Sequence, residues 1–475
     1  MTKSVPWLLL DAHRARKQGP AAMERRQRVR LGEMVGYARA TSPYYHELYR
    51  DLPERVEDAA LLPVTDKKKL MARFDDWVTD RAVTIEKVRA FVDNPDLVGE
   101  RFLGQYTVAT TSGTTGTPGL FVMDDRSLAV TGALFFRLMS DWLRIGDVIR
   151  ILLGGGRTAI VVATGGHFAG IVMGTRLRKR HGKRVEVVAA HTPLSEMVAG
   201  LNHFRPALLA PYASIGALLA GEQEAGRLRI RPVLVVLSAE GLPLGEYDRI
   251  ARAFQAKVHQ SYAATECPFL SYSCEHGWLH VNSDWVVLEP VDAAYQPTPP
   301  GEQSHTALIS NLANRVQPIL RYDLGDSILV RPDPCPCGNP LPAIRVRGRA
   351  ADVLIFLTES GERVSIPPLA FEVDSIPGVE LFQIVQTTPM SLRVRLRLAA
   401  SVDADRVWQA VLGAIRRLLA QNKLDHATLE RVEEPPEQSP SGKYRTVIPL
   451  DSWGESTPQR RLVRPVAGHH HEAPL

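Results

Sequence analysis

The sequence predicts an α/β protein: a large, multi-layer N-terminal domain of mixed and parallel sheets, followed by a small α+β C-terminal domain. Three observations carry that prediction. Between about residue 106 and residue 254, short apolar runs alternate with longer mixed stretches, the order of strand and helix in a layered body with largely parallel sheet. From 272 to 330, Val, Leu and Trp alternate between frequent turns, a texture of antiparallel sheet or a small barrel. From about 348 to 450 a further set of strands surrounds a helix over 402–422, enough chain for a domain of its own.

In chain order, the first hundred residues read as mostly helical and polar. Over 23–40 charged residues alternate with Val29, Leu31, Met34, Val35 and Tyr37 at amphipathic spacing, and Ser42-Pro43 breaks the pattern. Strands are expected at 106–109, 120–124, 147–153, 159–163, 185–190 and 233–238, with helices over 194–203 and 245–254 between the later ones. The units are therefore 1–347, 348–452, and a Ser-, Pro-, Arg- and His-rich tail over 453–475 that lacks the apolar content for a core. No internal repeat is visible.

Composition narrows the function. Of 475 residues, 45% are hydrophobic and 23% charged, ordinary for a globular chain with a full core. The net charge of +5 does not call for nucleic acid as a partner. No apolar run reaches the roughly 18 residues of a membrane span, and the apolar stretch at 7–10 is too short for a secretory signal. Four cysteines make a poor disulfide framework, so reduced thiols or metal ligands are expected. Together these point to a cytoplasmic protein; oligomeric state is not legible.

The most informative string is TTSGTTGTPG at 110–119, between two of the expected strands. Hydroxyls and glycines at that density put many N–H and O–H donors on a backbone with few Cβ obstructions, a cradle for a polyphosphate. It lacks the Gly-Lys-Ser/Thr of the Walker type. A second glycine turn, Gly154-Gly155-Gly156-Arg157-Thr158-Ala159, fits a dinucleotide fingerprint in letters only. A strand, not a helix, is expected after it, and no acidic residue follows at the right distance.

Four more strings follow in order: SAEGLP (238–243), SYAATE (261–266), RYDLGD (321–326) and SGKYR (441–445). With the 110–119 loop they resemble the ordered motifs of the adenylate-forming enzymes. SPYYHELY (42–49), LPVTDKKKL (62–70) and PCPCGNPLPAIRVRGRAADVL (334–354) are similar to the phenylacetate–CoA ligase branch. The resemblance spans roughly residues 30–450. It implies an ATP- and Mg²⁺-dependent ligase that converts a small-molecule carboxylic acid, with an aryl or arylacetic acid as the expected class, to an acyl-adenylate and then to a CoA thioester. A carrier protein or an amine as acceptor, or a non-catalytic nucleotide-binding homologue, are the alternatives.

The resemblance also implies roles. Thr111, Ser112, Gly113, Thr114, Thr115 and Gly116 would hold the β- and γ-phosphates, Glu266 would anchor Mg²⁺, and Thr265 would meet the α-phosphate. Tyr262 would stack near the adenine, with Ala239 and Glu240 lining it, while Asp326 and Arg349 would take the ribose. Lys443 would carry its ammonium to the α-phosphate and the carboxylate. Two departures stand out: 117–119 has no lysine, and Ala351 occupies the place of the first of two junction aspartates, the family's hinge. Gly165 to Phe168 and Tyr212 to Ser214 are candidate walls for the acid. Finally, Cys274, His280, Cys335 and Cys337 match positions that in this branch can form a structural Zn²⁺ site, with His276 an alternative to His280. Cys267, beside Glu266, reads as a core filler.

Overall fold

The computed structural model describes residues 5–450 apart from 112–118, 243, 350–351, 353, 359–362, 367–369, 372, 374–375, 400–401 and 439–443. The N-terminal region is helical, as its spacing predicts. The helix Pro20–Thr41 stops at Ser42, whose backbone is extended and whose hydroxyl caps the next helix, Pro43–Leu48, by accepting from the Tyr45 N–H. Tyr45 and Trp77 are fully buried, and both donate to the Pro318 carbonyl, at 3.0 and 2.6 Å. Those bonds tie the helical layer to the sheets beneath.

The strands β1 (Thr107–Thr110) and β2 (Leu120–Met123) pair as an antiparallel hairpin around the hydroxyl-rich string. Strands β3 (Thr158–Val162), β4 (Val185–Ala189), β5 (Leu208–Pro211), β6 (Leu234–Leu237) and β7 (Lys257–Ala264) are separated by helices and run parallel in the order β4-β3-β5-β6-β7. At β7 the same sheet turns antiparallel, continuing through β8 (Cys267–Ser273) and β9 (Leu279–Val281). Strands β10 (Val286–Val291), β11 (Thr306–Asn311) and β12 (Ile319–Asp323) form a separate antiparallel sheet. Then β13 (Asp326–Val330) and β14 (Ala343–Arg349) return to the large sheet beside β9. The antiparallel texture expected over 272–330 is present.

The C-terminal part pairs β15 (Leu354–Leu357) with β16 (Arg363–Ile366). It then builds a four-stranded sheet from β17 (Val379–Thr388), β18 (Ser391–Leu398), β19 (Thr428–Val432) and β20 (Val447–Ile448). The helix Ala404–Gln421 buries Val407, Val411, Ile415 and Leu419, a stripe at four-residue spacing, against its own core with Phe356, Ile384 and Val394. Among the described residues, no helix is long and apolar enough to cross a membrane.

One expected strand is not a strand. Residues 147–153 fall in the helix Ile145–Leu153, and no residue of it is buried. A continuous apolar run of strand length does not distinguish the two periods by itself. The turn at Gly155 and Gly156, both at positive φ, then feeds β3, so the dinucleotide fingerprint fails as expected.

A two-stranded hairpin leaves backbone groups on its outer edge unpaired, and here buried carboxamides meet them. The Val122 N–H donates to Gln317 Oε1 (2.7 Å), and Gln317 Nε2 donates to the Leu120 carbonyl (3.0 Å). Asn314 Nδ2 donates to the Val122 carbonyl (2.8 Å), and Asn314 Oδ1 accepts from the Asp124 N–H (3.1 Å). Gln317 is wholly buried. Gln317→Leu should therefore orphan one buried donor and one buried acceptor and lower stability by about 2–4 kcal/mol. Urea unfolding of the variant against the parent protein checks this.

Candidate functional site

The base of the hydroxyl-rich loop is a closed neck. The Thr111 N–H donates to the Gly119 carbonyl at 3.0 Å, and the Gly119 N–H donates to Thr111 Oγ1 at 2.8 Å. A Cβ at Gly119 would fall 2.5 Å from the Phe121 ring, so glycine is required there. Ser112, Gly113, Thr114, Thr115 and Gly116 lie outside the described residues. Beside the neck, the Thr110 N–H donates to the His167 carbonyl at 2.7 Å. His167 is buried, with its Nε2 3.0 Å from the Asn94 carbonyl oxygen and its ring 5.2 Å from Phe91. The 165–168 segment thus abuts the loop.

Thr265 and Glu266 form the two-residue tip between β7 and β8, closed by the Ala264–Cys267 pair. The Tyr322 hydroxyl donates to Glu266 Oε1 (3.0 Å), and Asn311 Nδ2 holds the Glu266 backbone carbonyl (2.9 Å). Burial and then the Glu266 carboxylate raise the Tyr322 phenol far above its ordinary value, so it stays a hydrogen-bond donor. Tyr262, three residues before the tip, donates its hydroxyl to Asp326 Oδ2 at 2.6 Å. Asp326 and Arg349 stand directly opposite across β13 and β14. Five of the residues singled out by motif therefore lie around adjoining strands. Cys267 is fully buried, and burial pushes its thiol far up, as suits a core filler.

Beyond β6, Ala239 adopts a left-handed backbone at φ 70°, a conformation that costs a non-glycine residue roughly 1 kcal/mol. This turn presents Glu240. One carboxylate oxygen, Oε2, accepts from the Ser214 N–H (2.9 Å), while Oε1 accepts from the Tyr444 N–H (2.8 Å). Gln260 Nε2 donates to the Glu240 carbonyl (3.0 Å). Glu240 thus joins the wall segment 212–214 to the C-terminal SGKYR string. Lys443 itself lies outside the described residues, but its neighbour Tyr444 sits on Glu240. Arg445 pairs with Asp352 at the junction, and Gln383 Nε2 donates to the Arg445 carbonyl (3.0 Å). Tyr322, Gln260 and Tyr444 carry no role in the motif reading, and Ser214 enters it only within a candidate wall segment. Tyr322 and Tyr444 lie inside quoted strings, but no spacing in the sequence marks their partners.

The sulfurs and ring nitrogen of Cys274, His280, Cys335 and Cys337 all lie within 4.8 Å of one another. Cys337 Sγ is 3.2 Å from His280 Nε2 and 3.4 Å from Cys335 Sγ, which is 3.7 Å from Cys274 Sγ. A tetrahedron with Zn–S of about 2.3 Å has edges of about 3.7 Å, so this donor set fits a four-coordinate zinc. His280 Nδ1 is 3.0 Å from the Leu341 carbonyl, which fixes the proton there and frees Nε2. His276 is not in the group; it faces Glu275 at 3.8 Å. Desolvation raises the Cys274 and Cys337 thiols, the latter to about 12.

No protein-family model matches the chain, and no curated protein matches it. Solved structures do. A 2-hydroxyisobutyryl-CoA ligase in the postadenylation state, in complex with R3-HIB-AMP, is 20% identical with TM-score 0.63, covering 90% of this chain and 89% of that one. The same enzyme in an open conformation with 2-HIB-AMP and CoA is 21% identical with TM-score 0.54, covering 87% and 88%. In the thioesterification state it is 22% identical with TM-score 0.51, covering 92% and 91%. The chain shares the fold of this CoA ligase over about nine-tenths of its length.

If Glu266 is held for metal and phosphate work, its hydrogen-bond donor matters. Tyr322→Phe should weaken Mg²⁺-dependent ATP binding about 10- to 150-fold, the worth of one hydrogen bond to a charged group. Titration with ATP at fixed Mg²⁺ reads it.

Proposed function

We propose that the chain is an ATP-dependent carboxylic acid ligase that forms an acyl-adenylate and passes the acyl group to CoA. The observation that carries this is the Tyr444 N–H on Glu240: it brings the residue next in sequence to Lys443 to the SAEGLP segment. The fold shared with CoA ligases, over about nine-tenths of both chains, supports the same reading.

In the first step an oxygen of the acid attacks the α-phosphorus of ATP, the bond to the β-phosphate bridging oxygen breaks, and pyrophosphate leaves. Two anions must meet while charge builds on phosphoryl oxygens, so catalysis is positioning and electrostatic stabilisation. The donors of residues 111–116 cradle the β- and γ-phosphates, and Thr265 meets the α-phosphate. Glu266 is the residue that would hold Mg²⁺, which supplies charge neutralisation of the triphosphate when bound. Asp326 and Arg349 take the ribose, with Tyr262 orienting Asp326 through its hydroxyl. Ala239 and Glu240 border the adenine. Lys443 brings its ammonium to the α-phosphate and the acid. In the second step the CoA thiol attacks the acyl carbonyl and AMP leaves.

The finer reading is a member of the phenylacetate–CoA ligase family acting on an aryl or arylacetic acid. Phe168 and Tyr212, the aromatic residues of the two candidate wall segments, which belong to one core cluster, favour it. The chain divides near Gly348, with 348–452 as the moving unit. Ala351 at the hinge position is the observation that favours a second reading, in which a carrier protein or an amine accepts the acyl group.

Acid-dependent exchange of labelled pyrophosphate into ATP, across a panel of carboxylic acids, tests the proposal; no exchange with any acid alongside intact ATP binding refutes it. Lys443→Ala should reduce exchange at least 100-fold with ATP affinity nearly unchanged. Glu240→Ala should lower exchange while sparing thioester formation from preformed adenylate.

We also assign a structural Zn²⁺ to Cys274, His280, Cys335 and Cys337, with all four positions supplied by protein and none left for water. Metal analysis of the tag-free protein should give one zinc per chain. Cys335→Ser should lose that zinc and lower the thermal midpoint; an unchanged metal content would remove the site.

A further inference from the structure

The helix Ile145–Leu153 is built inside out. Its polar side holds it to the protein: Asp147, which caps the helix through the Arg144 N–H, accepts from Lys257 Nζ at 2.6 Å, and Lys257 Nζ also donates to the Trp142 carbonyl at 2.9 Å. Gly154, next along the same side, backs onto Ala207, where a Cβ would come within 3.3 Å of the alanine methyl. The opposite side carries Ile145, Val148, Ile149, Leu152 and Leu153, the i, i+3, i+4, i+7, i+8 stripe that ordinarily faces a core. These five are 82%, 43%, 50%, 69% and 83% exposed. Anchored through this ion pair, the helix leaves its apolar stripe without a packing partner among the described residues, and an apolar face of this kind marks an interaction site.

We propose that this stripe is the self-association face of the protein, pairing with the same helix of a second copy about a two-fold axis. The exposed part of the five side chains amounts to roughly 600 Å² per copy, so a symmetric pair buries about 1,200 Å², the lower bound for specific, stable interfaces. Phe135 and Phe136 on the preceding helix, Asp125–Trp142, are also half exposed and enlarge the apolar area nearby in sequence. The stripe is centred on Ile149. In an antiparallel crossing Ile149 meets its own copy, Ile145 meets Leu153, and the exposed Arg144 at each N-terminus reaches the C-terminal carbonyls of the other helix, where a cation is favoured. The stripe lies on a helix of the parallel half of the protein and uses no residue assigned to ATP, acid or metal, so it is independent of the proposed activity.

Sedimentation velocity of the full chain at micromolar concentration tests this. The parent protein should run as a dimer. Ile149→Glu and Leu152→Glu, which set a carboxylate against its own copy, should each raise the dimer dissociation constant at least 100-fold, with circular dichroism and thermal midpoint unchanged. Should either variant misfold, Ile149→Cys gives an independent reading: mild oxidation should yield a disulfide-linked dimer on a non-reducing gel where the parent yields none. A monomeric parent, a dimer that survives both glutamates, or a cysteine variant that does not cross-link overturns the proposal. So does a monomer that floats with phosphatidylserine-containing vesicles through this stripe, which would make the face a membrane contact instead.

Discussion

The carboxamides of Asn314 and Gln317 decide where the β1–β2 hairpin can sit. A pair of four-residue strands has too little hydrogen bonding of its own to stay in place, and its outer backbone groups are buried beyond the reach of water. Supplying both a donor and an acceptor from Gln317, and both from Asn314, gives β2 a partner that is neither strand nor solvent. The same connection between β11 and β12 also reaches the β7–β8 tip, because Asn311 holds the Glu266 carbonyl and Tyr322 holds its carboxylate. Loop neck and carboxylate tip are therefore referenced to one stretch of chain, and a shift in that stretch would move both together.

Glu240 plays the corresponding part between the two halves of the chain. Its carboxylate is divided, one oxygen to the large part at Ser214 and one to the small part at Tyr444. A bond to a backbone N–H makes no demand on the side chain at 444 but a strict one on the position of the turn. The Arg445–Asp352 pair ties the next residue to the junction between the two parts, so 444 and 445 are each fixed by an acidic side chain from a different segment.

Much of this was legible from residue order. The hairpin around 110–119, the strands β3, β4 and β6, and the helix filling the C-terminal core follow from period and turn chemistry, whereas β5 and β7 lie outside the expected strands. Contacts between distant strands did not: nothing in the spacing from Tyr262 to Asp326 says that β7 and β13 bring them within 2.6 Å. The choice of His280 over His276 likewise depends on β9 pairing with β14, which turns the first inward. The misreading at 147–153 has a different cause. Sequence patterning assumes that apolar residues mark the inside, and the Ile145–Leu153 helix inverts that assumption by anchoring through Asp147. The helical period is present in the run, but its apolar content alone suggests a buried strand.

The tip formed by Thr265 and Glu266 has one more implication. Strand side chains alternate between faces, so the number of residues in a connection sets a parity. With only two residues between Ala264 and Cys267 there is no slack to absorb an insertion. A single added residue would leave the sheet intact yet hand the carboxylate's place to its neighbour on the opposite face. Relatives of this protein should therefore tolerate changes of length in the loop from β10 to β11 far more readily than at this tip.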